Sequence, residues 1–286
     1  MFTQKTGLRP LPEAATTGEN VNMDAPRTDL GKKSEKIISG GSWRRLYLIA
    51  GLASILFVLL LIVALVLDFM APPPVHGGAA TLEFIAENKT VYVAEQILWV
   101  LPNILPVVVF VALFIALAPL DRSLALLATV IGAVPWALIL AVPVTSRGSL
   151  NLVYLSDRYS ATASEEERRS YATAAEAIVA ENNTPAIVGV LSALGILLIS
   201  LVMLKGILPR FLAWLGIVTG ALGVVSEVLR HAVPEFYWGY GILLWVWFIA
   251  TGIALIALAR HTTPDIMAAD HGATADSPET SSESGR

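Results

Sequence analysis

The chain has 286 residues, of which 55% are hydrophobic and 15% charged, against about 25% charged in an average soluble domain. A formal net charge of -4 leaves no basic surface large enough to grip phosphates, so nucleic acid is excluded as a partner. The absence of cysteine excludes disulfides, thiolate nucleophiles and cysteine-ligated metal sites.

Residues 1–41 are rich in Thr, Pro, Gly, Asn and charge, lack apolar periodicity, and read as a disordered cytoplasmic N-tail. Such a long polar stretch ahead of the first apolar run is unlike a secretory signal, so that run is expected to stay as an anchor. Six apolar runs follow, at 46–70, 93–119, 124–144, 186–204, 211–229 and 236–259. About 20 such residues span a bilayer. Residues 42–260 are therefore expected to form an all-α, polytopic bundle of six membrane-spanning helices, and residues 261–286 a second disordered cytoplasmic tail.

Lys32, Lys33, Lys36, Arg44 and Arg45 precede the first run, which puts the N-terminus inside by the positive-inside bias. Alternation then places the Asp121-Arg122 turn, the turn at 205–210 and Arg260 inside as well, each with a basic residue. The connection at 145–185 falls outside and carries six acidic residues against four arginines. Trp43 and Trp214 at the inner boundary, with Tyr237, Trp238 and Tyr240 at the outer one, match aromatic belts. Within the outer connection, Ser164 and Glu167 form a capping-box pattern, and Tyr171, Ala174, Ala175 and Ile178 repeat at helical spacing. One amphipathic helix is expected there, lying on the membrane surface or covering the bundle mouth, with Glu165 and Arg169 paired across a turn. Thr184 and Pro185 read as the cap and first turn of the next helix.

A polar side chain inside lipid is a functional-site hypothesis by default. Glu95, Trp99, Pro102, Asn103 and Pro106 lie on one face of the second helix. Pro102 and Pro106 each remove a donor, which should free the carbonyls of Leu98 and Pro102. The broken helix could build a binding site, or Asn103 could simply bond a freed carbonyl as structural glue. Glu227 and Arg230 are three apart near the outer end of the fifth helix and can pair. Asp68, Arg147, His76 and His231 also fall toward the outer half. No spacing signature for a metal, no cofactor motif and no catalytic serine arrangement accompanies them.

The segment Gly206-Ile-Leu-Pro-Arg-Phe-Leu-Ala-Trp-Leu-Gly-Ile-Val-Thr-Gly-Ala resembles the corresponding hairpin of a bacterial six-helix membrane family catalogued as domain of unknown function 4386. The layout from residue 38 to 260 is similar too. The resemblance implies a multi-pass protein of the bacterial plasma membrane and transfers no site. Taken together, the residues point to a non-enzymatic protein among membrane lipids that binds a lipid, small amphiphile or partner in an outer-half polar cleft. Its candidate ligand-binding residues are Glu95, Trp99, Asn103, Glu227 and Arg230. The alternative is a proton-coupled secondary transporter that uses Glu95 or Glu227, and the oligomeric state stays open.

Overall fold

The computed structural model describes residues 42–74, 76–141, 144–145, 148–182, 187–230 and 232–261. The expected N-tail, the expected C-tail beyond His261, Arg147, His231 and the Thr184-Pro185 start lie outside the described residues. The unbroken apolar stretch after the basic boundary forms α1 (Ser42–Met70). The next apolar run sits in a much longer helical rod. It comprises α2 (Gly78–Val100), a 3-10 turn at Leu101–Asn103 and α3 (Ile104–Leu117). This rod counts 40 residues, or about 60 Å at 1.5 Å per residue, against a hydrocarbon layer of about 30 Å. Its start fifteen residues before the apolar run at Val93 is the main departure from the sequence expectation.

α4 (Arg122–Ala141) starts where Asp121 Oδ1 accepts the Leu124 N–H at 3.0 Å, the usual N-terminal capping bond. A two-residue ladder then pairs β1 (Val144–Thr145) with β2 (Gly148–Ser149), antiparallel. Two helices occupy the long connection, α5 (Asn151–Ala161) and α6 (Glu165–Asn182). The chain continues through α7 (Ile187–Met203), α8 (Arg210–Val228) and α9 (Pro234–His261). Among the described residues five helices are long and apolar enough to cross a membrane, and α7 is a shorter apolar helix of 17 residues. The membrane character of the chain is thus plain, while the apolar run expected at 186–204 falls in this shorter helix.

The apolar helices pack as a closed ring in the order α1, α3, α4, α7, α8, α9 and back to α1. Lipid supplies no hydrophobic drive between helices, so small residues and close packing must hold them. A Cβ on Gly195 of α7 would collide with the Cα of Gly132 on α4, and one on Gly51 of α1 would meet the Gly252 carbonyl of α9 at 2.7 Å. Aromatic rings fill the centre. Phe57 meets Trp136 and Phe248 edge-on at 5.4 and 4.8 Å, and Trp247 continues the stack to Phe110 at 6.5 Å. The outer surface of the ring is lined by exposed Ile, Leu, Val and Phe, including Leu52, Leu59, Val130, Val218 and Ile253.

The first half of α2 stands beside α5 and α6 and forms a separate cap. Its own small core is Leu82, Ile85, Tyr92, Leu152, Ala175 and Val179. α6 turns Ala175 and Val179, with Tyr171, Ala172 and Ile178 partly buried, toward this core, so its apolar stripe is used against α2 and α5. Ala174 of the expected stripe is exposed. At the start of α6 the Glu167 N–H reaches Ser164 Oγ at 3.4 Å, while the Glu167 carboxylate accepts from Thr162. The capping box is therefore only half made, and Glu165 and Arg169 form no ion pair with one another.

Candidate functional site

The polar face of α2 follows from helical spacing: Tyr92, Glu95, Gln96, Trp99 and Asn103 recur at three and four residues. Glu95 and Gln96 have no exposed surface, and Tyr92 and Asn103 are nearly as buried. Glu95 Oε1 accepts from Trp99 Nε1 at 3.1 Å. The Tyr92 hydroxyl donates to the Ser149 carbonyl at 3.2 Å and accepts the Ser149 N–H at 3.0 Å. A Cβ on Gly148 would strike that hydroxyl and approach Gln96 Nε2 at 3.0 Å, so only glycine lets the β1–β2 ladder press onto this face. The ladder thereby roofs the acidic site at the junction of cap and bundle. Tyr92, Gln96 and Ser149 were not singled out from sequence. The four-residue spacing of Tyr92 and Gln96 was readable, but the pairing to Ser149 crosses 57 positions and leaves no local signal.

The Asn103 amide is tied into its own helix break. Its Nδ2 donates to the carbonyls of Trp99 at 2.6 Å and Val100 at 2.7 Å. The proline break does expose backbone acceptors, as expected, but the asparagine reaches those three and four residues back instead of Leu98 and Pro102. Both amide hydrogens are committed to stitching the 3-10 turn. A second asparagine plays a parallel part at Asn88, whose backbone leaves helical geometry at φ -117 and ψ 24 and whose Nδ2 bonds the Phe84 carbonyl at 3.1 Å.

Glu227 lies in the last turn of α8 and Arg230 just past its end. Their side chains are 5% and 13% exposed, and Arg230 Nη1 stands 3.6 Å from Glu227 Oε2. A Cβ on Gly189 of α7 would collide with the Glu227 carboxylate, so the glycine makes the space the acid occupies. Gly189 puts Glu227 at the α7–α8 contact, whereas α2 as a helix packs against α1, α5 and α6. Asp68 is buried near the end of α1, and His76 is exposed. Among the described residues no group of three or more His, Asp or Glu is placed to hold a metal ion.

Outside the membrane helices the charged groups pair more openly. Lys89 meets Asp157 at 2.7 Å, with both side chains about half exposed. Tyr159 donates to Glu83 at 3.0 Å, and that bond, ahead of burial, raises the Tyr159 pKa. At the opposite end of the bundle Lys205 donates to Asp121 at 2.6 Å, and this bond lowers the Asp121 pKa below its ordinary 3.8.

No curated protein and no solved structure matches the chain. A family model described as a domain of unknown function, DUF4386, matches residues 49–268, which takes in the cap, both polar sites and the helix ring apart from the first turns of α1. The chain belongs to the DUF4386 family.

Proposed function

We propose that the chain is a six-span, non-enzymatic protein of a bacterial plasma membrane, with both termini in the cytoplasm, that binds a lipid or similar small amphiphile at the polar face of α2. The observation that carries this reading is Glu95, a fully buried carboxylate inside an apolar span, beside Gln96 and under the β1–β2 roof. Ionisable groups in such places are expensive and are kept mainly for function. An amphiphile suits the place, because its head group can meet Glu95, Gln96 and Trp99 while its tail runs along the exposed apolar flank of α1 and α3. Asn103 then supports the site by holding the helix break, and Glu227 with Arg230 forms a second polar point on the α7–α8 side.

The six-span reading draws on two features. At 17 residues, α7 is about 26 Å long and stands at the short end of the lengths that span a bilayer. It also occupies a place in the ring between α4 and α8. The basic residues Arg44, Arg45, Arg122, Lys205, Arg210 and Arg260 gather at one end of the helices and support a cytoplasmic location for that end. The cap formed by α2, α5 and α6 then faces outward.

The test is lipid analysis of protein purified in mild detergent, parent beside Glu95→Gln, which keeps the acceptor for Trp99 and removes the acid. The expected result is a co-purifying amphiphile reduced about tenfold in the variant, equal to 1.4 kcal/mol, at an unchanged melting temperature. Equal amphiphile content in both proteins would overturn the reading. The buried Glu227–Arg230 pair favours a second reading, a proton-coupled transporter. It requires gradient-driven uptake in vesicles that Glu227→Gln abolishes, and the aromatic filling of the bundle centre weighs against it.

A further inference from the structure

The hydroxyls buried in the ring follow a rule with two exceptions. Ser192 donates to the Val188 carbonyl at 2.8 Å and Thr219 to Leu215 at 2.7 Å, each within its own helix, and Ser54 donates to Phe248 across the α1–α9 contact at 2.6 Å. Ser200 on α7 and Thr251 on α9 depart from it, as does the indole of Trp247, although all three are fully buried. Among the described residues Ser200 Oγ, Thr251 Oγ1 and Trp247 Nε1 have no hydrogen-bond partner. Trp247 and Thr251 are one turn apart on α9, and Ser200 Oγ and Trp247 Nε1 flank a single point, the place a Cβ would take on Gly216 of α8.

Two unmet polar atoms, Ser200 Oγ of α7 and Trp247 Nε1 of α9, therefore meet at a glycine of α8. An indole N–H is a donor only, so it needs an acceptor that the surrounding side chains do not supply. Buried donors left unmet are heavily penalised in a dry, low-dielectric interior. A single water accepts from the indole, exchanges hydrogen bonds with a hydroxyl, and is held when two to four polar partners surround it. We infer that a structural water is bound at the α7–α8–α9 junction beside Gly216, hydrogen-bonded to Trp247 Nε1 and Ser200 Oγ. An ion is a poor fit, since no charge stands on either group. Gly216 is on this account the wall of a polar cell. The inference is independent of any amphiphile at Glu95, which lies on another helix interface.

The experiment uses the full chain in detergent micelles, labelled with nitrogen-15 at its indoles, and reads magnetisation transfer between bulk-exchangeable water and the Trp247 N–H. A water cross-peak in the parent that is lost in Ser200→Ala is the expected result. No cross-peak in the parent overturns the inference, because a direct contact or an unmet donor would leave the indole dry. A cross-peak indifferent to Ser200→Ala also overturns it, since the water would then not be shared. Should Ser200→Ala not fold, the parent spectrum alone decides. Melting provides a second reading: Trp247→Phe, which keeps the ring and removes only the donor, lowers the transition by about 2–4 °C. An unchanged or raised transition would mean the donor was buried without a partner and would count against the water.

Discussion

The ring of apolar helices and the cap answer to different solvents, and the contrast explains most of the molecule. In the ring, large apolar side chains such as Leu52 and Val218 face outward, and close contact is made through glycine against backbone, as at Gly195 with Gly132. In the cap, charged residues face outward and Leu82, Ile85, Tyr92, Leu152, Ala175 and Val179 gather inside, as in a protein bathed in water. Burial is the favourable term in the cap, whereas shape complementarity must do the same task in the ring. The long α2–α3 rod passes through both environments, and Glu95 lies where they meet.

The comparison can be broken most sharply at the glycines. Gly195→Val forces side-chain carbons into the Gly132 backbone and is expected to destabilise the ring by at least about 1–3 kcal/mol, seen as a large loss of melting temperature or of folded yield. Gly78→Ala makes the equivalent intrusion into the cap, against the Ala172 carbonyl of α6. Its expected outcome is local: new proteolytic cleavage within α5 and α6 while the ring transition stays in place. Uniform loss of both regions in each variant would erase the distinction drawn between them.

Truncation sharpens it further. Leu82→Ala in the cap should cost about 2–5 kcal/mol of local stability, read by hydrogen exchange in α5 and α6. Leu113→Ala in the ring should cost less, because the unfolded reference in a lipid or detergent environment is itself apolar and only packing is lost. A smaller effect falls on Asn103→Leu. Removing the amide from the Trp99 and Val100 carbonyls is expected to lower stability by about 0.6 kcal/mol, with about 1.7 as an upper value for such bonds in membranes. An unchanged or raised transition would free Asn103 from its structural role.

The smallest effect concerns pH. The Asp121 pKa is depressed in the folded chain, chiefly by the Lys205 hydrogen bond. Its stabilising contribution is therefore present above the unfolded value and is lost as pH falls through the lower folded value, beneath 3.8. The pair is exposed, so only a slight flattening of the acid limb of a melting-versus-pH curve is expected in Asp121→Asn.

Hydropathy located the ring well, since α1, α4, α8 and α9 coincide with apolar runs to within a few residues. It failed at the cap, where Glu83, Glu87, Asn88 and Lys89 interrupt the apolar pattern although the backbone stays helical from Gly78 apart from Asn88. The signal there is amphipathic, carried by Leu82, Ile85 and Tyr92, and a run-length criterion passes over it. α5 offers still less, because Leu152 and Ser156 are its only fully buried residues. Proline chemistry correctly pointed to freed carbonyls near Asn103 but not to which ones, since that depends on the tightening of the 3-10 turn. Glu227 and Arg230 were readable from their spacing of three, whereas the space made by Gly189 depends on how α7 meets α8.

The most direct test of the account, in which the cap stands in water on the outer side of the ring, is cysteine accessibility, for which a chain without native cysteine is already suited. Asp157→Cys on the cap and Lys205→Cys at the opposite end would be exposed to a membrane-impermeant maleimide in intact cells and again after permeabilisation. The account predicts labelling of the cap position in intact cells and of position 205 only after permeabilisation. Labelling at position 205 in intact cells, with the cap protected, would contradict it.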